Sequence, residues 1–340
     1  MMKVLYAIQT TGNGHLSRAK EFIPNLERRF QVDVVLSGPK HGLSLDRPIK
    51  HHYQGLTLFH TQKGGIHWGK TIFKNNILQF IIDLFRAPVH QYDLVINDYE
   101  PITAWSCKLH GVLCFGLSNQ FSLWQKKFPD SKKKWTRKLS YIRFFAPVRY
   151  GYGLHYKAFD NNIYHPIIRS KIRHLTPTRG GGIVVYLPAH PLEEIIKVIS
   201  SIEGTQFKIF SKDIIALSAS SNYSLHPINE TAFISALAAA DGVITNAGFT
   251  TTAESIFLNK PLMVVPMRGQ VEQQYNAYTL KKMGVAVVKH FDVSQQSKIE
   301  KWIKKPKNKR VLFHNNLHQL VDQIALDYIK IKYNSQSIPS

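Results

Sequence analysis

Acidic residues are scarce in this 340-residue chain: 22 Asp and Glu stand against 44 Lys and Arg, a net formal charge of +22. Such a surplus points toward anionic partners, either a membrane surface or nucleic acid. Cysteine is nearly absent, and the spacing of Cys107 and Cys114 excludes a disulfide framework and a paired-cysteine metal site. Both are expected as reduced core thiols. No run approaches the roughly 18 uncharged apolar residues of a spanning helix. The opening MMKVLYAIQTTGNGH has neither the basic region nor the long apolar core of a secretion signal. The expectation is therefore a cytoplasmic protein. Short repeats, low-complexity tracts and the Asp-x-Asp pair are missing, as are helix-turn-helix, zinc-finger and RNA-recognition signatures. What is present, 44% hydrophobic and 11% aromatic residues, excludes collagen, coiled coil and wholesale disorder and leaves a globular α/β chain long enough for two domains.

Apolar runs and helical periodicities alternate. A strand at 4–8 is followed by a helix at 15–30 and a strand at 32–36, which is a βαβ unit. Helix 72–85, strand 94–97, helix 101–109 and strand 112–117 continue it. Residues 119–160 are basic and aromatic and break the rhythm, and 171–182, with its Pro and three glycines, reads as a linker. A second series follows over 183–288, with strands at 183–187, 207–210, 242–245, 262–265 and 285–288 and helices at 192–199, 232–239, 251–258 and 272–283. Two doubly wound, mostly parallel sheets in series are expected: 1–170 as one Rossmann-like domain, 183–325 as the next, and 326–340 as a tail packing back on the first. In such sheets ligands lie beyond the carboxyl ends of the strands.

Thr10-Thr11-Gly12-Asn13-Gly14-His15 falls between the first strand and helix, where glycines permit close backbone approach and helix amides attract an anion. Ser17 occupies the place of the third glycine of a dinucleotide fingerprint, and Asp33 stands at the wrong end of the second strand, which disfavours a nicotinamide cofactor. The same glycines also serve a plain βα turn. His15, in the first turn of the helix, suits a general base because imidazole titrates at about 6.5. Asp98, closing a strand at the same sheet edge, is positioned to orient it. The competing role for Asp98 is a cap on the helix that follows.

Residues 240–288 are the richest in signal. A strand ends in Asn246-Ala247-Gly248, and Thr250, Thr251 and Thr252 open a helix that delivers Glu254 in its first turn. Amides and hydroxyls there suit a diphosphate, and Glu254 suits ribose hydroxyls. Thr251-x-x-Glu254 equally fits a capping box. Further on, Glu272 and Gln273 open another helix and can exchange hydrogen bonds with vicinal hydroxyls.

These residues resemble the donor-binding half of the GT-B glycosyltransferases, enzymes of two facing Rossmann-like domains, and among them the peptidoglycan N-acetylglucosaminyltransferase and UDP-glycosyltransferase group. Gly248, Thr251, Glu254, Pro261, Pro266, Glu272, Gln273, Asn276 and Ala277 fall at matching places. Gly12-Asn13-Gly14-His15 is similar to the group's Gly-rich, His-ended loop. The resemblance implies His15 as base and Asp98 as its orienting acid. It also implies Gly14, Asn246, Gly248, Thr250 to Thr252, Glu254, Glu272 and Gln273 as donor-binding residues. Two departures stand out: Asn259-Lys260 replaces the usual glycine before Pro261, and Tyr186-Leu187-Pro188-Ala189-His190 replaces a Gly-Gly-Ser phosphate loop. The expected activity is inverting, metal-independent and cofactor-free transfer of a sugar from a nucleoside diphosphate, UDP, to an acceptor hydroxyl. An epimerase of the same fold and a basic nucleic-acid-binding protein are the alternatives.

Residues 119–145 hold eight Lys or Arg and one Asp among aromatic residues. Trp124, Lys132, Lys133, Lys134, Trp135, Arg137 and Lys138 read as an anchor for an anionic membrane, at about 1 kcal/mol per basic residue near the headgroups. This implies a lipid-linked or envelope-glycan acceptor and a peripheral place on the inner face of the membrane.

Overall fold

The computed structural model describes residues 1–39, 45–57, 75–125, 136–306 and 311–336. Its chain forms two compact units: residues 1–169 with 313–336, and residues 170–312.

The first unit contains β1 Lys3–Gln9, α1 Asn13–Leu26, β2 Gln31–Ser37, β3 His51–Tyr53, α2 Ile77–Arg86, β4 Leu94–Asp98 and α3 Pro101–His110. β5 Cys114–Ser118, α4 Asn119–Ser122, α5 Thr136–Phe145, β6 Tyr150–Leu154 and β7 Ile163–Tyr164 follow. The strands lie in the order β3-β2-β1-β4-β5-β6-β7, all parallel. A parallel sheet is covered on both faces, so its strands are apolar throughout; Val4 to Ile8 and Leu94 to Ile96 are accordingly buried. Leu5, Ala7, Val35 and Val95 pack with Ile102, Cys107 and Cys114. α1 turns Leu16, Ala19, Phe22, Ile23 and Leu26 inward, a helical stripe in which each larger side chain stabilises by roughly 1.5–3 kcal/mol. Both cysteines are free and buried.

β6 lies within the stretch that broke the sequence rhythm. Its glycines weaken a strand signal but serve packing. A Cβ on Gly116 of β5 would meet the Phe121 ring at 2.4 Å, and one on Gly153 would meet the Ser122 backbone at 2.6 Å. The glycines let α4 lie flat against the sheet.

The second unit contains α6 Ser170–Arg173, β8 Ile183–Tyr186, α7 Leu192–Ile199, β9 Phe207–Ser211, β10 Ser218–Ala219, β11 Tyr223–Pro227, α8 Glu230–Ala239 and β12 Gly242–Asn246. Then come α9 Phe249–Phe257, β13 Leu262–Val265, α10 Val271–Lys282, β14 Ala286–Val287 and α11 Gln296–Lys304. The order is β10-β11-β9-β8-β12-β13-β14, parallel except for β10 at the edge. Val185, Ile195, Val198, Ile209, Ile244 and Trp302 belong to its core.

Two boundaries differ from the sequence expectation. The segment expected as a linker, 171–182, belongs to the second unit and begins with the single turn α6. The chain rejoins the first unit at 313, not 326, and the last helix, α12 Leu317–Gln336, belongs wholly to that unit. There it touches α1, buries Leu320, Val321 and Ile324, and takes Arg29 on Asp322 and the Tyr152 hydroxyl on Asp327. Among the described residues, no helix is long and apolar enough to cross a membrane.

Candidate active site

The strand order reverses direction between β1 and β4, and such a switch point is where an open α/β sheet forms its crevice. Ile8 pairs with Asp98 across that junction. α1 begins at Asn13 on an N-cap Gly12 that offers no side-chain cap, so Gly14 is not a loop residue; it stands in the first helical turn, among amides that lack intrahelical acceptors. His15 follows, and its Nδ1 lies 2.8 Å from Asp98 Oδ1. One turn later Arg18 gives Nε to Asp98 Oδ2 at 3.0 Å and a terminal nitrogen to Oδ1 at 2.5 Å. The Tyr6 hydroxyl donates to Oδ2 at 3.3 Å. Asp98 is fully buried and Arg18 nearly so, while His15 keeps a small exposed edge. Burial pushes the Asp98 carboxyl up, but the charges of Arg18 and His15 and their hydrogen bonds outweigh it and hold the group below the usual carboxylate range.

The turn after β4 explains why Asp98 is free to face α1. Glu100, not Asp98, caps α3, accepting from Ile102 N at 2.6 Å and Thr103 N at 2.7 Å. Asn97 braces the turn through Glu100 N and O. Between the two acids, Tyr99 takes φ 59°, a left-handed conformation costly for an aromatic residue. Its ring is held 5.1 Å from Phe145 and 6.2 Å from Phe121. Burial raises the Glu100 carboxyl, so two neighbouring buried acids are driven in opposite directions by their partners.

The second unit has its switch point between β8 and β12, and the same kind of helix start. α9 begins at Phe249 on an N-cap Gly248 with no side-chain cap, and a Cβ on either Gly12 or Gly248 would meet nothing within 4 Å. By contrast, α2, α3 and α8 start on side-chain caps from Asn76, Glu100 and Asn229. Because α9 starts two residues before the expected position, Thr251 is not its N-cap. The capping-box reading therefore fails, and Glu254 lies in the second turn, not the first, where it is buried.

The remaining donor-side residues divide in two. Asn246 is spent on the scaffold: its Nδ2 donates to Val265 O at 2.8 Å and its Oδ1 accepts from Ala189 N at 3.3 Å. The Thr252 hydroxyl turns back onto Gly248 O and Phe249 O. Asn276 holds the turn by donating to Ala247 O at 3.0 Å. Thr250, Thr251 and Glu272 remain partly exposed. Gln273 accepts from Met267 N at 3.0 Å through Oε1, which leaves its Nε2 for a ligand. In the loop that replaces Gly-Gly-Ser, His190 Nδ1 is buried without a hydrogen-bond partner, and burial lowers its basicity. The other departure is explained by Asn259, which adopts φ 55°, a region asparagine tolerates. Lys260 then buries its ammonium on Ala240 O at 2.9 Å and on Thr178 O.

Of the expected membrane residues, Lys132, Lys133, Lys134 and Trp135 lie outside the described residues, as do the side chains of Arg137 and Lys138. Trp124 is not a free anchor: it is half-buried, edge-on to Phe121 at 4.7 Å. An exposed apolar face occurs instead on α2 and its neighbours, with Leu78 69%, Phe85 63% and Phe144 69% accessible, together with Ile81 and Leu109. Exposed Arg86, Lys108, Arg143 and Arg149 accompany it.

Comparison with solved structures places these two sheets. The chain is similar to Phytolacca americana UGT2 complexed with UDP-2-fluoro-glucose and pterostilbene, at TM-score 0.57 and 15% identity over 96% of this chain and 99% of that one. It is also similar to Arabidopsis thaliana UGT89C1 complexed with UDP-L-rhamnose, at TM-score 0.56 and 14% identity over 96% and 94%. For the calicheamicin glycosyltransferase CalG4 the values are 0.53 and 14% over 97% and 94%. No curated protein matches by sequence. The architecture is thus that of a GT-B glycosyltransferase. The profile of glycosyl transferase family 1 matches residues 2–305, and the chain belongs to that family; it is a glycosyltransferase.

Proposed function

We propose that this enzyme transfers a sugar from UDP to an acceptor hydroxyl with inversion, without a metal and without a cofactor. The observation that carries the reading is the 2.8 Å contact of His15 Nδ1 with the buried Asp98 carboxylate. With the proton on Nδ1, Nε2 presents its lone pair. As the acceptor oxygen forms its bond to the anomeric carbon, Nε2 takes the hydroxyl proton, and the carbon–oxygen bond to the diphosphate breaks with its electron pair leaving on UDP. A single displacement inverts the anomeric centre. The uncapped first turn of α9, at Gly248, Thr250 and Thr251, stabilises the departing diphosphate in place of a metal. Glu254 takes the ribose hydroxyls, Glu272 and the Gln273 amide the sugar hydroxyls, and Asn246 and Thr252 hold the backbone that presents these groups. UDP is favoured because UGT2 and UGT89C1 carry UDP-sugars.

The acceptor in this reading is lipid-linked, and the enzyme works as a peripheral protein on the inner, anionic face of a membrane. The exposed apolar face of α2 with its surrounding cations supports this, because apolar contact and charge attraction add at such a surface. Calorimetry against UDP-, GDP- and dTDP-sugars tests the donor: tight binding of a UDP-sugar is expected, and no binding of any of the three would contradict the reading. Incubation with donor alone separates transfer from epimerisation, since an epimerase converts the donor without an acceptor. Binding of nucleic acid without UDP affinity would favour the other class.

A further inference from the structure

Three contacts around Asp98 cannot all be hydrogen bonds at once. His15 Nδ1 lies 2.8 Å from Asp98 Oδ1 and 2.9 Å from a terminal nitrogen of Arg18, and that same Arg18 nitrogen donates to Asp98 Oδ1. A neutral imidazole nitrogen either donates or accepts. With the proton on Nδ1, His15 donates to Asp98 and keeps a basic Nε2. With the proton on Nε2, Nδ1 accepts from Arg18 and the ring cannot act as a base through Nε2.

Charge balance adds a second constraint. Asp98 is fully buried, and an isolated buried carboxylate is strongly disfavoured. Among the described residues, its partners are Tyr6 from β1 and His15 and Arg18 from α1. The Tyr6 phenol is buried beside Asp98 and stays protonated, since burial and the carboxylate both raise it. Two cations can therefore neutralise Asp98: the guanidinium, which is always charged, or a protonated His15. An imidazolium has no lone pair with which to accept a proton.

We propose that Arg18 is a positioning residue that supplies the counter-charge of Asp98 and so keeps His15 neutral, with its base lone pair available. The inference rests on the reading of His15 as base. An aspartate–histidine pair alone would settle as an ion pair with the imidazole already protonated; the arginine turns the same pair into a neutral base with an orienting partner. Its place at i+3 from His15 puts both side chains on one face of α1.

The test is nitrogen-15 NMR of the histidine rings in the wild type, Arg18→Gln and Arg18→Lys, with His15→Gln to identify the His15 signals, beside the pH dependence of kcat/KM. In the wild type at pH 7.5 the His15 nitrogens should report a neutral ring. In Arg18→Gln they should report imidazolium at the same pH. The acidic limb of kcat/KM should move up by about one pH unit or more, a loss of about tenfold at pH 7 that recovers toward pH 9. Arg18→Lys keeps the charge and should leave the limb near its wild-type position. If Arg18→Gln fails to fold, Asp98→Asn decides: with the carboxylate gone, the imidazolium signals should disappear at a lower pH than in the wild type. Unmoved His15 signals in the folded Arg18→Gln, or in Asp98→Asn where that variant decides, overturn the proposal. The ring signals are read without turnover, so an inactive role for His15 would show separately, as full activity in His15→Ala.

Discussion

The two sheets of this enzyme place their switch points alike, β1 against β4 and β8 against β12, and both follow them with a helix that starts on an uncapped glycine facing open space. They fill the position differently. The first gathers a carboxylate, a guanidinium, an imidazole and a phenol within hydrogen-bond reach of one another. The second spends its asparagines on backbone groups and leaves helix amides to face outward. One topology thus yields two electrostatic characters: a buried ionic cluster able to accept a proton, and a neutral cradle with a positive helix end suited to an anion.

The largest effect should come from breaking the ionic cluster. Asp98→Ala leaves the Arg18 guanidinium buried without its carboxylate, and about 3–5 kcal/mol of unfolding free energy should be lost in a guanidinium chloride melt; a loss below about 1 kcal/mol would mean the pair does not hold the first unit. The first unit should also respond to acid. Burial, with the Lys157 charge adding to it, pushes the His155 imidazole down to about 4. The folded state therefore resists a proton that the unfolded chain binds near pH 6.5. The contribution is complete above about pH 6.5 and is lost as pH falls toward 4, on the order of 3 kcal/mol. Removing the group should flatten that part of the stability profile, so a His155→Gln variant with the wild-type slope would contradict the assignment.

A smaller effect should distinguish the second site. Glu254→Gln should weaken UDP binding by roughly 1.5–3 kcal/mol, about 10- to 100-fold, while the melting temperature changes little. A drop in stability with UDP affinity intact would assign Glu254 to the scaffold. The sharpest comparison uses the matched glycines. Gly12→Ala and Gly248→Ala each place a methyl in open space, so both should fold with changes within about 0.5 kcal/mol. Gly248→Ala alone should reduce UDP affinity; equal losses in both would erase the difference between the two helix ends. The smallest effect is expected at the surface. Ile81→Gln with Phe85→Gln should weaken binding to anionic vesicles at low salt, with UDP affinity unchanged. Binding should fall with salt as exposed charges are screened, and wild type that ignores such vesicles would remove the membrane from the account.

Much of the fold was legible because a doubly wound sheet writes long apolar strands between amphipathic helices, and strands such as 94–98 and 242–246 carry that pattern without interruption. β6 and β11 were not legible. Glycines in the first, and half-exposed polar residues with a closing proline in the second, remove the signal; both are fixed by neighbours distant in sequence. At the site, His15 and Asp98 could be read from their places at strand ends. Arg18 could not, although its i+3 spacing from His15 was a usable sign, because an arginine on an amphipathic helix ordinarily faces solvent. The helix starts were misplaced by two residues at α1 and α9 because glycine N-caps carry no side-chain signal.

The central claim is that the first unit's ionic cluster takes the acceptor's proton while the second unit holds the donor. Its most direct test is the single-turnover rate of His15→Ala at saturating UDP-sugar and acceptor, with UDP affinity measured on the same preparation. The account predicts a fall of about two to four orders of magnitude with UDP affinity kept. A rate within a few-fold of wild type would contradict it.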